Sequence, residues 1–155
     1  MENVVRKIGR SPEDAAAVKK SLVESFPFLT QHCSILDSLS RWHEWYVGIV
    51  ADDVDPADYD SFSLSPLEEL YWRTEWKEVG FFTIAMFFVK EVETNVVIST
   101  LPDSNLYLWK RDDSSQPVVC RMTLEQILDG VEQNPTKIDE FLIHVTKGTR
   151  MPDPE

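Results

Sequence analysis

Between residues 52 and 60 the chain reads Asp52-Asp53-Val54-Asp55-Pro56-Ala57-Asp58-Tyr59-Asp60, five aspartates in nine positions with no base among them. Carboxylates this closely spaced could ligate calcium, serve as a general acid–base pair, or present negative charge to a basic partner. The calcium reading fails on spacing. In the register that starts at Asp53 and Asp55, the sixth position is Asp58 where the loop turn needs glycine. The twelfth is Leu64 where a bidentate glutamate is needed. Acid–base catalysis needs a cleft that holds two carboxyls several ångströms apart. Neither this run nor the pairs Glu68-Glu69 and Asp112-Asp113 specify one.

The partner-facing reading gains weight from the surrounding composition. From residue 42 to residue 80 there are ten acids: Glu44, Asp52, Asp53, Asp55, Asp58, Asp60, Glu68, Glu69, Glu75 and Glu78. Only Arg73 and Lys77 oppose them, so −8 of the net charge of −12 falls in a quarter of the chain. Trp42, Trp45, Tyr46, Tyr59, Phe62, Tyr71, Trp72 and Trp76 occupy the same stretch. Acids steer a basic protein toward such a surface and aromatic rings anchor it once it arrives. The competing explanation is that the rings belong to the core and the acids to a solvated face. The residues expected to touch a partner are Asp52, Asp53, Asp55, Asp58, Tyr59, Asp60, Glu68 and Glu69.

Other chemistry is sparse. His32, His43 and His144 sit in unrelated segments, and His32-Cys33 has no second Cys or His at the short spacing of zinc ligands. Five glycines occur without clustering, so no phosphate-cradling loop is present, and there is no Gly-x-Ser-x-Gly elbow. The expectation is a protein that is not an enzyme and carries no cofactor or metal.

Twenty-seven acids against fifteen bases repel nucleic acid phosphates and anionic membranes, and no basic patch intervenes. By charge, the expected partner is a basic protein, either a toxin or a nucleic-acid-binding protein. No direct contact with nucleic acid or membrane is expected. The run Met1-Glu2-Asn3-Val4-Val5-Arg6 lacks the apolar core of a secretory signal. A cytoplasmic location follows as the expectation, with Cys33 and Cys120 as reduced, buried thiols. At 155 residues one domain is expected over 1–150, followed by a frayed tail at 151–155.

The elements that must position these residues are readable in outline. Ser11-Pro12-Glu13-Asp14 is a helix start, with a serine cap, proline in the first turn and acids at the positive end of the dipole. Ile35, Leu36, Leu39, Trp42 and Tyr46 recur at helical spacing and predict a second helix over residues 31–46. Ser65-Pro66-Leu67-Glu68 and Thr123-Leu124-Glu125-Gln126 are capping boxes, and Asn134-Pro135 starts a last helix with Ile138, Phe141, Leu142 and Val145 on one stripe. Between them lies Phe81-Phe82-Thr83-Ile84-Ala85-Met86-Phe87-Phe88-Val89, which contains a single polar side chain. It is too short to span a bilayer and is followed at once by Lys90-Glu91. It predicts a central strand buried on both faces. With runs at 95–101, 105–111 and 118–122 it predicts an α+β fold, an antiparallel meander of four or more strands flanked by N-terminal and C-terminal helices.

The stretch from about residue 72 to residue 131 resembles the SUKH superfamily. The residues that carry the likeness are Trp76-Lys77-Glu78-Val79-Gly80-Phe81-Phe82-Thr83-Ile84-Ala85, Asn105-Leu106-Tyr107-Leu108-Trp109-Lys110-Arg111 and Met122-Thr123-Leu124-Glu125-Gln126-Ile127-Leu128. The glycine-rich turns usual between that family's strands are missing here. Many members of the family are bacterial toxin-immunity proteins, so the resemblance implies an acidic face turned toward a basic toxin. The functional expectation is therefore an inhibitor or immunity-type protein that occludes a basic partner. The alternatives are a viral or phage-type antagonist that mimics nucleic acid by charge, and an enzyme whose motifs are unfamiliar.

Overall fold

The computed structural model describes residues 2–50, 60–64, 80–90, 92–99, 105–110 and 117–147. Among these residues the chain forms one seven-stranded antiparallel sheet whose spatial order follows the sequence. The strands are β1 (Glu2–Gly9), β2 (Trp42–Val50), β3 (Ser61–Leu64), β4 (Phe81–Val89), β5 (Val92–Ser99), β6 (Leu106–Lys110) and β7 (Val118–Val119). Helix α1 (Pro12–Ser25), a 3-10 helix (Pro27–His32) and α2 (Cys33–Ser40) sit between β1 and β2, while α3 (Leu124–Gln133) and α4 (Ile138–Lys147) follow β7. The architecture is α+β with a meander at its centre. The Ser65–Glu68 capping box and the tail at 151–155 lie outside the described residues.

The apolar run takes the middle position as β4 and is buried on both faces, with Thr83 and Ile84 both shielded from solvent. Cross-strand pairing sorts the side chains. Val47, Phe62, Phe87, Phe82, Ile98, Val96, Leu106 and Leu108 point to one face and join a single core with Leu22, Leu36, Leu39, Ile127, Val131 and Phe141 from the helices. An irregularity in register between Thr83 and Ala85 turns both Ile84 and Ala85 into that core. The opposite face carries Tyr46, Ser63, Met86, Asn95, Val97, Tyr107 and Trp109. On it the Phe81 ring meets those of Tyr107 and Trp109 at 5.5 and 5.8 Å between centroids. Leu106 and Leu108 face one way and Tyr107 and Trp109 the other, as strand alternation requires.

The helix starts behave as their sequences predict. Ser11 Oγ accepts from the Asp14 amide, and Thr123 and Gln126 exchange both bonds of a capping box. Gly130 lets α4 close on α3, because a Cβ there would collide with the Phe141 ring.

The segment 31–46 departs from expectation. It is not one helix: α2 ends at Ser40, and Trp42 onward is strand. The i, i+4 spacing of Trp42 and Tyr46 fits a helix, but the aromatic and β-branched run Trp45-Tyr46-Val47 fits a pleated surface equally well. Pairing with β1 and β3 decides it. In consequence Trp45 and Val47 are the core residues and Tyr46 lies on the opposite face. Strand β5 starts three residues before the expected 95, with residues 100–101 outside the described part, and β7 is shorter than 118–122. Lys90, at φ 50°, makes a tight turn that starts β5 at Val92, and the Arg121 amide leaves the ladder to bond the Val145 carbonyl at 2.9 Å.

In β2, Gly48 is enclosed: a side chain there would strike the Tyr46 ring and Ser61 Cβ. The Tyr46 ring lies over the glycine, and its hydroxyl, pushed up in pKa by burial, hydrogen-bonds Ser61. Gly48→Ala is expected to lower stability by about 1–3 kcal/mol through this overpacking. Urea unfolding followed by tryptophan fluorescence checks it. An unchanged midpoint would mean that Tyr46 moves aside freely.

Candidate functional site

Of the residues expected to touch a partner, Asp60 is within the described part. Asp52, Asp53, Asp55, Asp58, Tyr59, Glu68 and Glu69 lie outside it. The strands that launch and receive the acidic run are nonetheless fixed. Val50 ends β2 opposite Glu2, and Ser61 opens β3 opposite Phe88 near the end of β4. Val89 and Val92 close the β4–β5 hairpin, and Lys110 pairs with Thr94 at the start of β5. Val118 enters β7 opposite Leu108.

In an antiparallel meander alternate connections leave from the same end. The strand ends bounding residues 51–60, 90–91 and 111–117 therefore stand together at one end of this sheet. Their sequences contribute Asp52, Asp53, Asp55, Asp58, Asp60, Glu91, Asp112 and Asp113, against Lys90 and Arg111. Sequence reasoning had the acidic run but did not connect it with the acids of residues 90–91 and 111–117, segments whose bounding strand ends share this end of the sheet. Only the strand register reveals that shared end.

Asp60 has a structural duty of its own. Its Oδ1 accepts the Lys90 amide at 2.8 Å, which ties the start of β3 to the β4–β5 turn. A carboxylate receiving a backbone N–H in a turn with positive φ stabilises that turn. The acidic run is thus pinned at its C-terminal edge to the neighbouring hairpin.

The histidines and cysteines do not converge. His32 is buried with Nε2 2.9 Å from the Ser99 carbonyl, which makes Nε2 the donor and ties the 3-10 helix to the end of β5. His43 is exposed on β2 instead of helical, and His144 lies on α4. Both cysteines are free, but Cys33 is exposed where a buried thiol was expected, and its Sγ donates to the Thr30 carbonyl at 2.9 Å. Cys120 is buried, and desolvation pushes its thiol up to about 12. Among the described residues no group of three or more His, Cys, Asp or Glu is arranged to hold a metal ion, and no helix is long and apolar enough to cross a membrane.

Comparison of the chain with protein-family models, with curated proteins and with solved structures finds no match. The acidic sheet end and the residues that frame it therefore carry the functional argument.

Asp60→Ala removes the acceptor of the Lys90 amide and is expected to lower stability by about 1–2 kcal/mol, while Asp60→Asn, which keeps an acceptor, costs less. Chemical denaturation of the two variants beside the parent measures the difference. Equal stabilities for all three would show that the bond contributes nothing.

Proposed function

We propose that this chain is a non-enzymatic protein-binding module, an inhibitor or immunity-type protein that occludes a basic partner with the acidic end of its sheet. The observation that carries the reading is the common position of the strand ends bounding residues 51–60, 90–91 and 111–117. Folding alone does not require five aspartates in nine residues, because exposed like charges repel. The sequences between the strand ends that share this end of the sheet carry further acids, and clustered acids speed encounter with a cationic surface. The resemblance of residues 72–131 to the SUKH superfamily supports an immunity-type role, with a toxin as the basic partner and the cytoplasm as the place of action.

Tyr59 sits among the aspartates, and its ring, apolar with a polar tip, is suited to anchor a complex that the acids have steered together. Steering and anchoring separate kinetically: charges outside the buried contact act on association, and a buried ring acts on dissociation.

The test begins with capture of the partner from the native host and its purification. Replacing Asp53, Asp55 and Asp58 together by Asn is expected to leave stability unchanged or slightly raised and to slow association severalfold at low salt. Tyr59→Ala is expected to speed dissociation. Association kinetics unaffected by the triple replacement would reduce the run to a solvated face. Affinity that collapses with salt while Tyr59→Ala has no effect would favour a charge mimic of nucleic acid.

A further inference from the structure

At the end of the sheet opposite the acidic one lies a cleft of about 500 Å³. It is enclosed by α2, the start of β6 and the turn from β7 into α3. Its floor is apolar: Ile35, Leu106, Cys120 and Leu124 line it, each more than nine-tenths buried. Its rim is polar and accessible. An apolar floor below a few polar rim groups is the usual composition of a small-ligand site.

The polar groups differ in how far they are already committed. Glu125 accepts from Ser38 Oγ at 2.6 Å and is paired with Arg41, so its charge is matched within the fold. Thr123 and Gln126 satisfy one another's backbone in the capping box. Arg121 is different. Its backbone amide is held by Val145, which fixes where the side chain starts, but its exposed guanidinium has no partner among the described residues. The uncommitted charge on the rim is therefore positive, in a chain whose net charge is −12. A guanidinium presents paired N–H donors that match the two oxygens of a carboxylate or phosphate.

We propose that this cleft binds a small amphipathic anion, with its apolar body on Ile35, Leu106, Cys120 and Leu124 and its oxyanion head paired with Arg121. The site lies at the far end of the sheet from the strand ends that bound residues 51–60 and does not depend on the protein-binding reading.

Sodium octanoate is the probe, with 1-octanol as its uncharged counterpart and octyl phosphate as a second head group. Amide shifts of the full-length ¹⁵N-labelled chain report the site of binding. Saturable shifts confined to residues 105–106 and 120–126 are expected, with octanoate or octyl phosphate bound about tenfold more tightly than octanol. Whichever oxyanion binds more tightly identifies the head group. Arg121→Gln, at an exposed position, is expected to keep the parent spectrum elsewhere and to abolish the advantage of the anions over octanol. Arg121→Lys is expected to retain part of it. Equal binding of octanoate and octanol, an unaffected Arg121→Gln variant, or no saturable shifts at these residues would overturn the proposal.

Discussion

The ladder between β4 and β5 is the interaction on which the rest of the molecule depends. It runs from Phe81 opposite Ser99 to Val89 opposite Val92, so nearly every backbone group along one side of the most apolar strand is matched by its neighbour. A strand with Thr83 and Ile84 both out of solvent cannot leave its N–H and C=O groups unpaired, since each would then lose water without compensation. Strand β3 supplies the other side, from Ser61 opposite Phe88 to Leu64 opposite Ala85. The helices then pack on the face that offers Phe82, Ile84, Phe87, Val96 and Ile98, and the core of α2, α3 and α4 closes there.

Strict sequential order in the sheet gives the molecule two unlike ends. One carries the turn at Lys90, the Asp60 carboxylate that braces it, and the strand ends bounding the acid-rich connections. The other carries the junction of α2, β6 and the start of α3, with Arg121 and its apolar floor. Segregation of this kind needs no special device. An antiparallel meander sends its connections alternately to each end, so Asp60 and Lys90, 30 positions apart in sequence, become neighbours.

Much of this was legible in the sequence, and the reasons for success and failure differ by element. Strand β4 and the ends of α1 and α3 announce themselves locally, through an unbroken apolar run in one case and through Ser11-Pro12 and Thr123–Gln126 in the others. β1, β2 and β3 do not. In β1 the apolar residues are flanked by Glu2, Arg6 and Lys7. In β2 the spacing of Trp42 and Tyr46 serves a helix as well as a strand, and β3 has only four residues. Their identity as strands comes from partners far away in sequence, which single-segment propensity cannot supply. The acidic run was visible as composition, but the common end shared by the strands that bound residues 51–60, 90–91 and 111–117 follows only from register. The cleft was invisible, because its floor is drawn from residues 35, 106, 120 and 124 on separate elements.

The proposed function has the partner meet the end of the sheet formed by Val50, Ser61, Val89, Val92, Lys110 and Val118. Hydrogen–deuterium exchange of the chain alone and in complex with its captured protein partner tests this most directly, because it locates the contact without altering a residue. Slowed exchange is expected for amides of residues 50–61, 89–92 and 110–118, with residues 99–106 and 120–126 unchanged. Protection concentrated at the cleft end, or along β1, would contradict the account.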